Sequence, residues 1–208
     1  MRGRWACILL LISAAAAAPA VHTVGFGKWM AAKWRAGAEP AVEMKVRPLY
    51  VDGRLREYTL GEPHEVTDRT LVVQQAYRVN DALPGERGPQ WQWQRGGWLM
   101  VERASGRVRR LNLPEFDAVQ SQASWYRDYA AYCGASEEDG KRYAVVAQLG
   151  RRKPLLRREL ATPCAAPPGW QRNPQRVTFI PQGGTDLLIF EIHGNGADAA
   201  SDESDDKP

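Results

Sequence analysis

Two cysteines in the central and carboxyl-terminal parts of this 208-residue sequence are the first residues whose chemistry has to be explained. Catalysis by a Cys133 or Cys164 thiol would require a histidine as the base. The available histidines, His22, His64 and His193, lie in no recognisable motif. The third cysteine, Cys7, lies in the signal peptide predicted below and would be removed with it. The even pair that remains in an exported protein typically forms a structural disulfide instead. We therefore predict a Cys133–Cys164 disulfide that fastens the strands around Cys133 to another part of the chain.

Tryptophan and arginine side chains form a second group of candidates. Trp91 and Trp93 lie two positions apart, so a β-strand would place them on the same face. Exposed indoles bind sugar rings or a protein partner, whereas buried indoles belong to the core. Arginines at a hairpin end either bind an anionic partner together or protect a sheet edge from association. The candidate binding residues are Trp91, Trp93, Trp98, Arg107, Arg109 and Arg110.

Carboxylates form the third group. Glu115, Asp117 and Asp128 could act as paired acid and base in glycoside hydrolysis if the fold brings two of them together. Residues 137–139 are all acidic but lack the alternating ligand spacing of a calcium loop. His64 and the acidic residues that follow it have no second histidine or cysteine at the spacing of a metal site. The motifs therefore predict no catalytic residue, no metal site and no cofactor, with hydrolysis kept as an alternative.

Residues 1–20 have the organisation of a secretory signal peptide. Arg2 and Arg4 precede a short apolar run, and Ala18 and Ala20 supply the small residues that precede a cleavage site. The apolar run is shorter than the ~20 residues of a membrane span, and an uncleaved anchor is the alternative. We predict cleavage after Ala20 and a periplasmic or secreted protein, for which nucleic acid is not an expected partner.

The rest of the chain divides into three predicted parts. Residues 21–41 form a linker or amphipathic segment, in which Trp29 and Trp34 could touch a membrane surface. Residues 42–194 form the β domain. Residues 195–208 form a disordered acidic tail, because they contain many carboxylates and no large apolar side chain.

Turn residues and alternating apolar residues predict the all-β domain. Asp52 and Gly53 are the strongest hairpin signal in the chain, and residues 69–81 alternate with the period of two of a half-buried strand. Further turns are predicted at 105–106 and 183–184, and further strands at 125–133 and 142–149. These elements favour an antiparallel meander, a small barrel or a partial propeller.

Residues 97–160 repeat a spacing of strands and glycine turns. The first part of the pattern consists of Trp98, Leu99, Val101, Gly106, Val108 and Leu111, and the second of Trp125, Asp128, Gly140, Lys141, Tyr143, Val145 and Leu149. This spacing resembles a blade of a secreted β-propeller of the TolB or WD40 kind. The resemblance implies four-stranded antiparallel units.

Together these patterns predict an exported binding or scaffold module of the cell envelope without catalytic activity, with a protein or a glycan as its partner. The alternative from a different class is a carbohydrate-active hydrolase that uses paired carboxylates. A structural fragment that oligomerises through its sheet edges is a third possibility, and the oligomeric state is left open.

Overall fold

Every regular element that the structure describes is a β-strand, which confirms the all-β fold class. The structure is a computed structural model, and it describes residues 22–35, 40–173, 175–184, 186–194 and 196–199. The predicted signal peptide at residues 1–20 lies outside these ranges. Within them, no helix has the length and the hydropathy that a membrane span requires.

The described strands form three sheets. The first sheet contains β1 (Val24–Phe26), β2 (Met30–Trp34), β3 (Val42–Val51), β4 (Arg54–Thr67), β5 (Thr70–Asn80), β6 (Trp91–Glu102) and β7 (Arg107–Arg110). The second sheet contains β8 (Ser124–Tyr126), β9 (Tyr129–Ala135), β10 (Arg142–Gln148) and β11 (Leu156–Leu160). The third sheet contains β12 (Gly169–Gln171), β13 (Arg176–Phe179), β14 (Leu188–His193) and β15 (Gly196–Ala199).

Five strands of the first sheet close into a barrel. The hydrogen-bonded order runs β3, β2, β6, β5, β4 and back to β3, while β1 pairs with β3 and β7 pairs with β6. All of these pairings are antiparallel except the contact between β2 and β6, which is parallel and is registered at Trp34 and Trp93. The pairing of β2 with β6, which we call the seam, is therefore the shortest pairing in the barrel.

Turn chemistry and bulges explain how these strands curl into a ring. Asp52 and Gly53 both have positive φ, 52° and 71°, as the two central residues of a tight primed hairpin turn require. The register shifts between β5 and β6 near Gln74, and such bulges increase strand twist. A Cβ atom at Gly96 would lie 2.9 Å from the Gln75 Cβ, so glycine is what allows β5 and β6 to approach here.

Both faces of the first sheet carry buried apolar clusters. One cluster takes side chains from all five ring strands, namely Ala32, Met44, Val46, Tyr58, Leu60, Ala76 and Trp93. A second cluster combines Leu49, Leu71, Val73, Leu99 and Val101 with side chains of β1 and β7. Leu71, Val72 and Val73 are consecutive and all buried. The strand predicted at 69–81 is confirmed as β5, but its predicted half-burial is wrong for the first half, because neighbours cover both faces there.

The second and third sheets pack against each other through an apolar layer. Ala131, Val146 and Leu156 of the second sheet meet Phe179 and Phe190 of the third sheet in one buried cluster. The strand predicted at 125–133 is in fact two strands, β8 and β9. Arg127 adopts a positive φ of 53° and lets the chain reverse between them.

The other face of the second sheet packs against the first sheet and the segment that connects the two. Tyr132 is fully buried there, and its hydroxyl donates to the Pro114 carbonyl at 2.7 Å. Trp98 of β6 meets Trp125 of β8 edge to face, with ring centroids 5.2 Å apart. The three sheets therefore follow one another in space in the same order as in the chain.

The predicted disulfide is confirmed. Cys133 of β9 is bonded to Cys164, with a Cα–Cα distance of 6.1 Å and a sequence separation of 31. Cys164 lies between β11 and β12 and forms an isolated bridge with Pro181, which follows β13. The bond therefore fastens the second sheet to the start of the third.

Two segments outside the predicted β domain also form strands. Within residues 21–41, β1 and β2 are strands of the first sheet and not an amphipathic helix, because their backbone groups pair with β3. Gly196–Ala199, predicted as part of the acidic tail, pairs with β14 as β15. Residues 200–208 of that tail lie outside the described ranges.

The stretch that resembles a propeller blade is divided between two sheets. Its first part forms β6 and β7 of the barrel sheet, and its second part forms the second sheet. What the fold shares with propeller blades is the four-stranded antiparallel meander of the second and third sheets.

Candidate functional site

The six predicted binding residues lie in three different places. Trp91, at the start of β6, is 57% exposed. Trp98, farther along the same strand, is only 8% exposed and packs on Trp125, so it is a core residue. The three arginines lie on β7, which pairs with the far end of β6 from Leu99 to Glu102. The arginines therefore do not join Trp91 and Trp93 in a single site.

A row of side chains crosses the barrel seam beside Trp91. Val42 of β3 is registered with Trp34 of β2, Trp34 with Trp93 of β6, and Trp93 with Arg78 of β5. Residues in register share one face of a sheet. We call Trp34, Val42, Arg78, Trp91 and Trp93 the seam face. Trp91 and Val42 are exposed, whereas Trp34 and Trp93 are half-buried.

Arginine accompanies the indoles on the seam face. The Cζ atom of Arg78 lies 5.8 Å from the ring centre of Trp91 and 5.4 Å from that of Trp93. These distances are within the range of cation–π attraction. Arg78 forms no ion pair with any carboxylate in the described part of the chain. The guanidinium donors of Arg78 are therefore left without a carboxylate partner among the described residues.

A groove of about 580 Å³ opens next to the seam face. Trp29, Trp34, Met44, Lys45, Gln74 and Arg95 are among the residues that line it. The Cζ atom of Arg95 lies 5.5 Å from the ring centre of Trp34, and its Nη1 donates a long hydrogen bond of 3.4 Å to the Val119 carbonyl. Burial lowers the pKa of the Arg95 guanidinium, while the charge of Asp117 opposes the shift.

Trp29 is held at the groove by Arg47, which no sequence pattern singled out. The Cζ atom of Arg47 lies 4.2 Å from the Trp29 ring centre and 4.4 Å from the Phe26 ring centre. Arg47 Nη2 also donates to Glu62 Oε2 at 2.8 Å. Alternation along β3 marks Arg47 only as a strand residue, and its partners come from other strands.

The three carboxylates considered for hydrolysis each have a structural partner. Glu115 Oε1 accepts a hydrogen bond of 2.6 Å from Arg157 Nε, and Asp128 Oδ2 accepts one of 2.8 Å from the Gln148 side chain. Asp117 Oδ1 accepts a hydrogen bond of 2.7 Å from the backbone N–H of Val119. These contacts fix the connecting segment and the turns of the second sheet.

The acidic tip of the second sheet is likewise tied to its own strand. Asp139 Oδ2 accepts a hydrogen bond of 2.6 Å from the Tyr143 hydroxyl, and this bond is the largest cause that lowers the pKa of Asp139 to about 2. Arg157 Cζ stacks 3.6 Å from the Tyr143 ring centre. Among the described residues, no group of three or more His, Cys, Asp or Glu side chains is placed to hold a metal ion.

Comparisons with known proteins add no relative from which a site could be transferred. The chain matches no protein-family model, no curated protein and no solved structure. The seam face and the groove beside it are therefore the candidate site on the evidence of their own geometry.

Proposed function

We propose that the protein is an exported, non-catalytic binding module of the cell envelope whose seam face binds a glycan. The observation that carries the proposal is the exposed Trp91 ring beside Trp93, with the unpaired Arg78 guanidinium within 5.8 Å of both. A flat indole offers an apolar platform to the C–H face of a sugar ring, and a guanidinium donates to its oxygens. A protein partner is the other occupant to be tested.

Export to the periplasm or the cell exterior is part of the same proposal. It rests on the signal-peptide pattern of residues 1–20 and on the Cys133–Cys164 bond, which is consistent with an oxidising compartment. Fractionation of producing cells and thiol alkylation of the mature protein without reductant will test it. We expect an extracytoplasmic protein with no alkylated cysteine, and a cytosolic protein with two free thiols would contradict the proposal.

The ligand test compares Trp91→Ala with a matched control. Leu187, near β14 of the third sheet, is 54% exposed, similar to the 57% of Trp91, so Leu187→Ala removes an apolar side chain of similar fractional exposure away from the barrel. Binding of the mature protein to immobilised envelope oligosaccharides should weaken about tenfold or more for Trp91→Ala. It should be unchanged for Leu187→Ala. No retention of the wild-type protein, or equal loss for both variants, would overturn the glycan proposal.

A membrane contact through Trp29 and Trp34 stays a competing prediction for the same region. Trp29 is 39% exposed, and Met30 beside it is 40% exposed. Flotation with vesicles that contain anionic lipid separates the two ideas, because a membrane-binding face would carry the protein with the vesicles in the absence of any glycan.

The resemblance to a propeller concerns only the arrangement of the sheets. Consecutive four-stranded antiparallel sheets that pack face to face, as the second and third sheets do, are the arrangement that blades adopt. A mass measurement in solution will test assembly into a larger ring, which predicts an oligomer, whereas a self-contained module predicts a monomer.

A further inference from the structure

We infer that the groove beside the seam face is an anion subsite, centred on Arg95, that takes the carboxylate of an acidic sugar. The inference rests on the proposed glycan binding and names the class of sugar. It assigns the specificity-determining role to a residue outside the six that the sequence singled out.

With the described residues, Arg95 forms no close ion pair. Its guanidinium is half-buried, yet in the described part of the chain it forms no ion pair with a carboxylate within 4.0 Å. Its single hydrogen bond, to the Val119 carbonyl, is 3.4 Å long. A guanidinium carries five N–H donors in a planar fork that matches a carboxylate. Most of that donor capacity is therefore available to a ligand that enters the groove.

Residues of both charges line the groove. Glu43, Glu62, Lys45 and Arg95 all line it. Glu62 is neutralised from outside the lining by Arg47, whose Nη2 lies 2.8 Å from Glu62 Oε2. Glu43 is then the remaining lining carboxylate that the structure describes, against Lys45 and Arg95. The charge of Asp117, outside the lining, also acts on Arg95 but forms no ion pair with it, so the half-buried guanidinium is the donor group that an anion in the groove would meet.

The position of Arg95 inside the groove determines the shape of the ligand that can reach it. A half-buried guanidinium in a groove meets an anion that enters the groove, whereas a flat lipid surface meets only the rim. The indole of Trp34 lies 5.5 Å from Arg95 Cζ and is registered with Trp93 of the seam face. A chain of sugars stacked along the seam face can therefore place a carboxylate at Arg95 without leaving the indoles.

The test uses the mature protein and three probes of equal length: tri-galacturonate, neutral tri-galactose and a tri-glutamate peptide. The variant Arg95→Gln removes the guanidinium and keeps an amide. Arg158→Gln is the matched control, because Arg158 is an exposed arginine on β11 of the second sheet, and its replacement removes the same charge. Binding is measured by titration calorimetry, and thermal unfolding of each variant verifies that it is folded.

We expect the wild-type protein to bind tri-galacturonate at least about tenfold more tightly than tri-galactose, since hydrogen bonds to a charged group contribute that much. Arg95→Gln should abolish the difference, Arg95→Lys should keep part of it, and Arg158→Gln should leave it intact. Equal loss in Arg95→Gln and Arg158→Gln, or tri-glutamate binding as tight as tri-galacturonate binding, would overturn the inference. Equal affinity for both sugars would also overturn it but leave the glycan proposal standing, whereas binding of neither sugar would remove both.

Discussion

The barrel and the pair of four-stranded sheets reach closure by different means. The barrel is closed by backbone hydrogen bonds that return from β4 to β3, with a parallel seam registered at Trp34 and Trp93. The second and third sheets are held together by an apolar layer between their faces and by one disulfide. Some indoles and guanidinium groups at the seam of the barrel are exposed to solvent, whereas the apolar layer between the second and third sheets is buried.

The two regions also differ in what they bury. The first sheet contains Thr59 and Gln75, both almost fully buried, and satisfies them by hydrogen bonds to the Arg47 carbonyl and the Glu57 carboxylate at 3.1 and 2.8 Å. The layer between the second and third sheets is built from apolar side chains such as Phe179 and Phe190. Polar groups inside the first sheet fix its register, and apolar burial stabilises the sheet pair.

Phe179→Ala should have the largest effect on stability. Phe179 is fully buried and meets Phe190 edge to face, with centroids 6.0 Å apart. Its truncation should lower the free energy of unfolding by about 3–5 kcal/mol, measured by urea unfolding with circular dichroism. Trp91→Ala, in the exposed part of the barrel, should change it by less than about 0.5 kcal/mol. Similar losses of unfolding free energy in both variants would contradict the difference between the buried layer of the sheet pair and the exposed seam of the barrel.

Removal of the disulfide should come next. The double variant Cys133→Ala, Cys164→Ala opens a loop with a sequence separation of 31. The chain-entropy relation then gives a loss of about 3–4 kcal/mol. Hydrogen exchange should show faster opening of the third sheet and unchanged protection of the barrel. Faster hydrogen exchange in the barrel instead would mean that the barrel and the sheet pair are not stabilised independently.

A pair of glycine substitutions should give an intermediate effect. A Cβ at Gly134 of β9 would overlap the backbone carbonyl of Glu115, which accepts the Ala135 N–H at 2.9 Å, so Gly134→Ala should cost about 1–3 kcal/mol of unfolding free energy. Gly97 of β6 has nothing within 4 Å of such a Cβ. Gly97→Ala should leave thermal stability unchanged or raise it slightly. The reverse order would place the tighter packing in the barrel.

The smallest effect concerns pH. The Tyr143 hydroxyl lowers the pKa of Asp139 from 3.8 to about 2. A depressed carboxyl pKa stabilises the fold above the unfolded value and loses that contribution as the pH falls through the folded value. The unfolding midpoint of the wild-type protein should therefore decline between about pH 4 and pH 2. Asp139→Asn should show a weaker decline over this interval, and the effect is small because the group is exposed. An identical decline in the variant would exclude this contribution.

The sequence predicted the elements whose signals are local. The turn at Asp52 and Gly53 was predicted correctly because a primed turn requires residues that accept positive φ, and both have it. The cysteine pairing was predicted because removal of the predicted signal peptide, with Cys7, would leave Cys133 and Cys164 as one even pair. The division of 125–133 into β8 and β9 was missed, because the turn depends on the positive φ of Arg127, a residue type that rarely adopts it.

Membership of the barrel could not be predicted in the same way. The segment with Trp29 and Trp34 has the composition of an amphipathic linker, and it forms β1 and β2 because β3 offers paired backbone groups. Trp91 and Trp98 are the same residue type seven positions apart on one strand, yet one is 57% exposed and the other 8%. The second sheet covers Trp98 and leaves Trp91 free.

The sequence by itself therefore determined the strand-rich character, the main hairpin turns and the disulfide, since each follows from the chemistry of a few neighbouring residues or of one pair. Only the tertiary structure decided which indoles are core and which guanidinium groups lack a close ion-pair partner. Burial and charge neutralisation depend on neighbours from distant strands: Arg47 finds Glu62, whereas Arg78 and Arg95 find indoles. Long-range pairing of strands is what brings those neighbours together, and no local pattern encodes it.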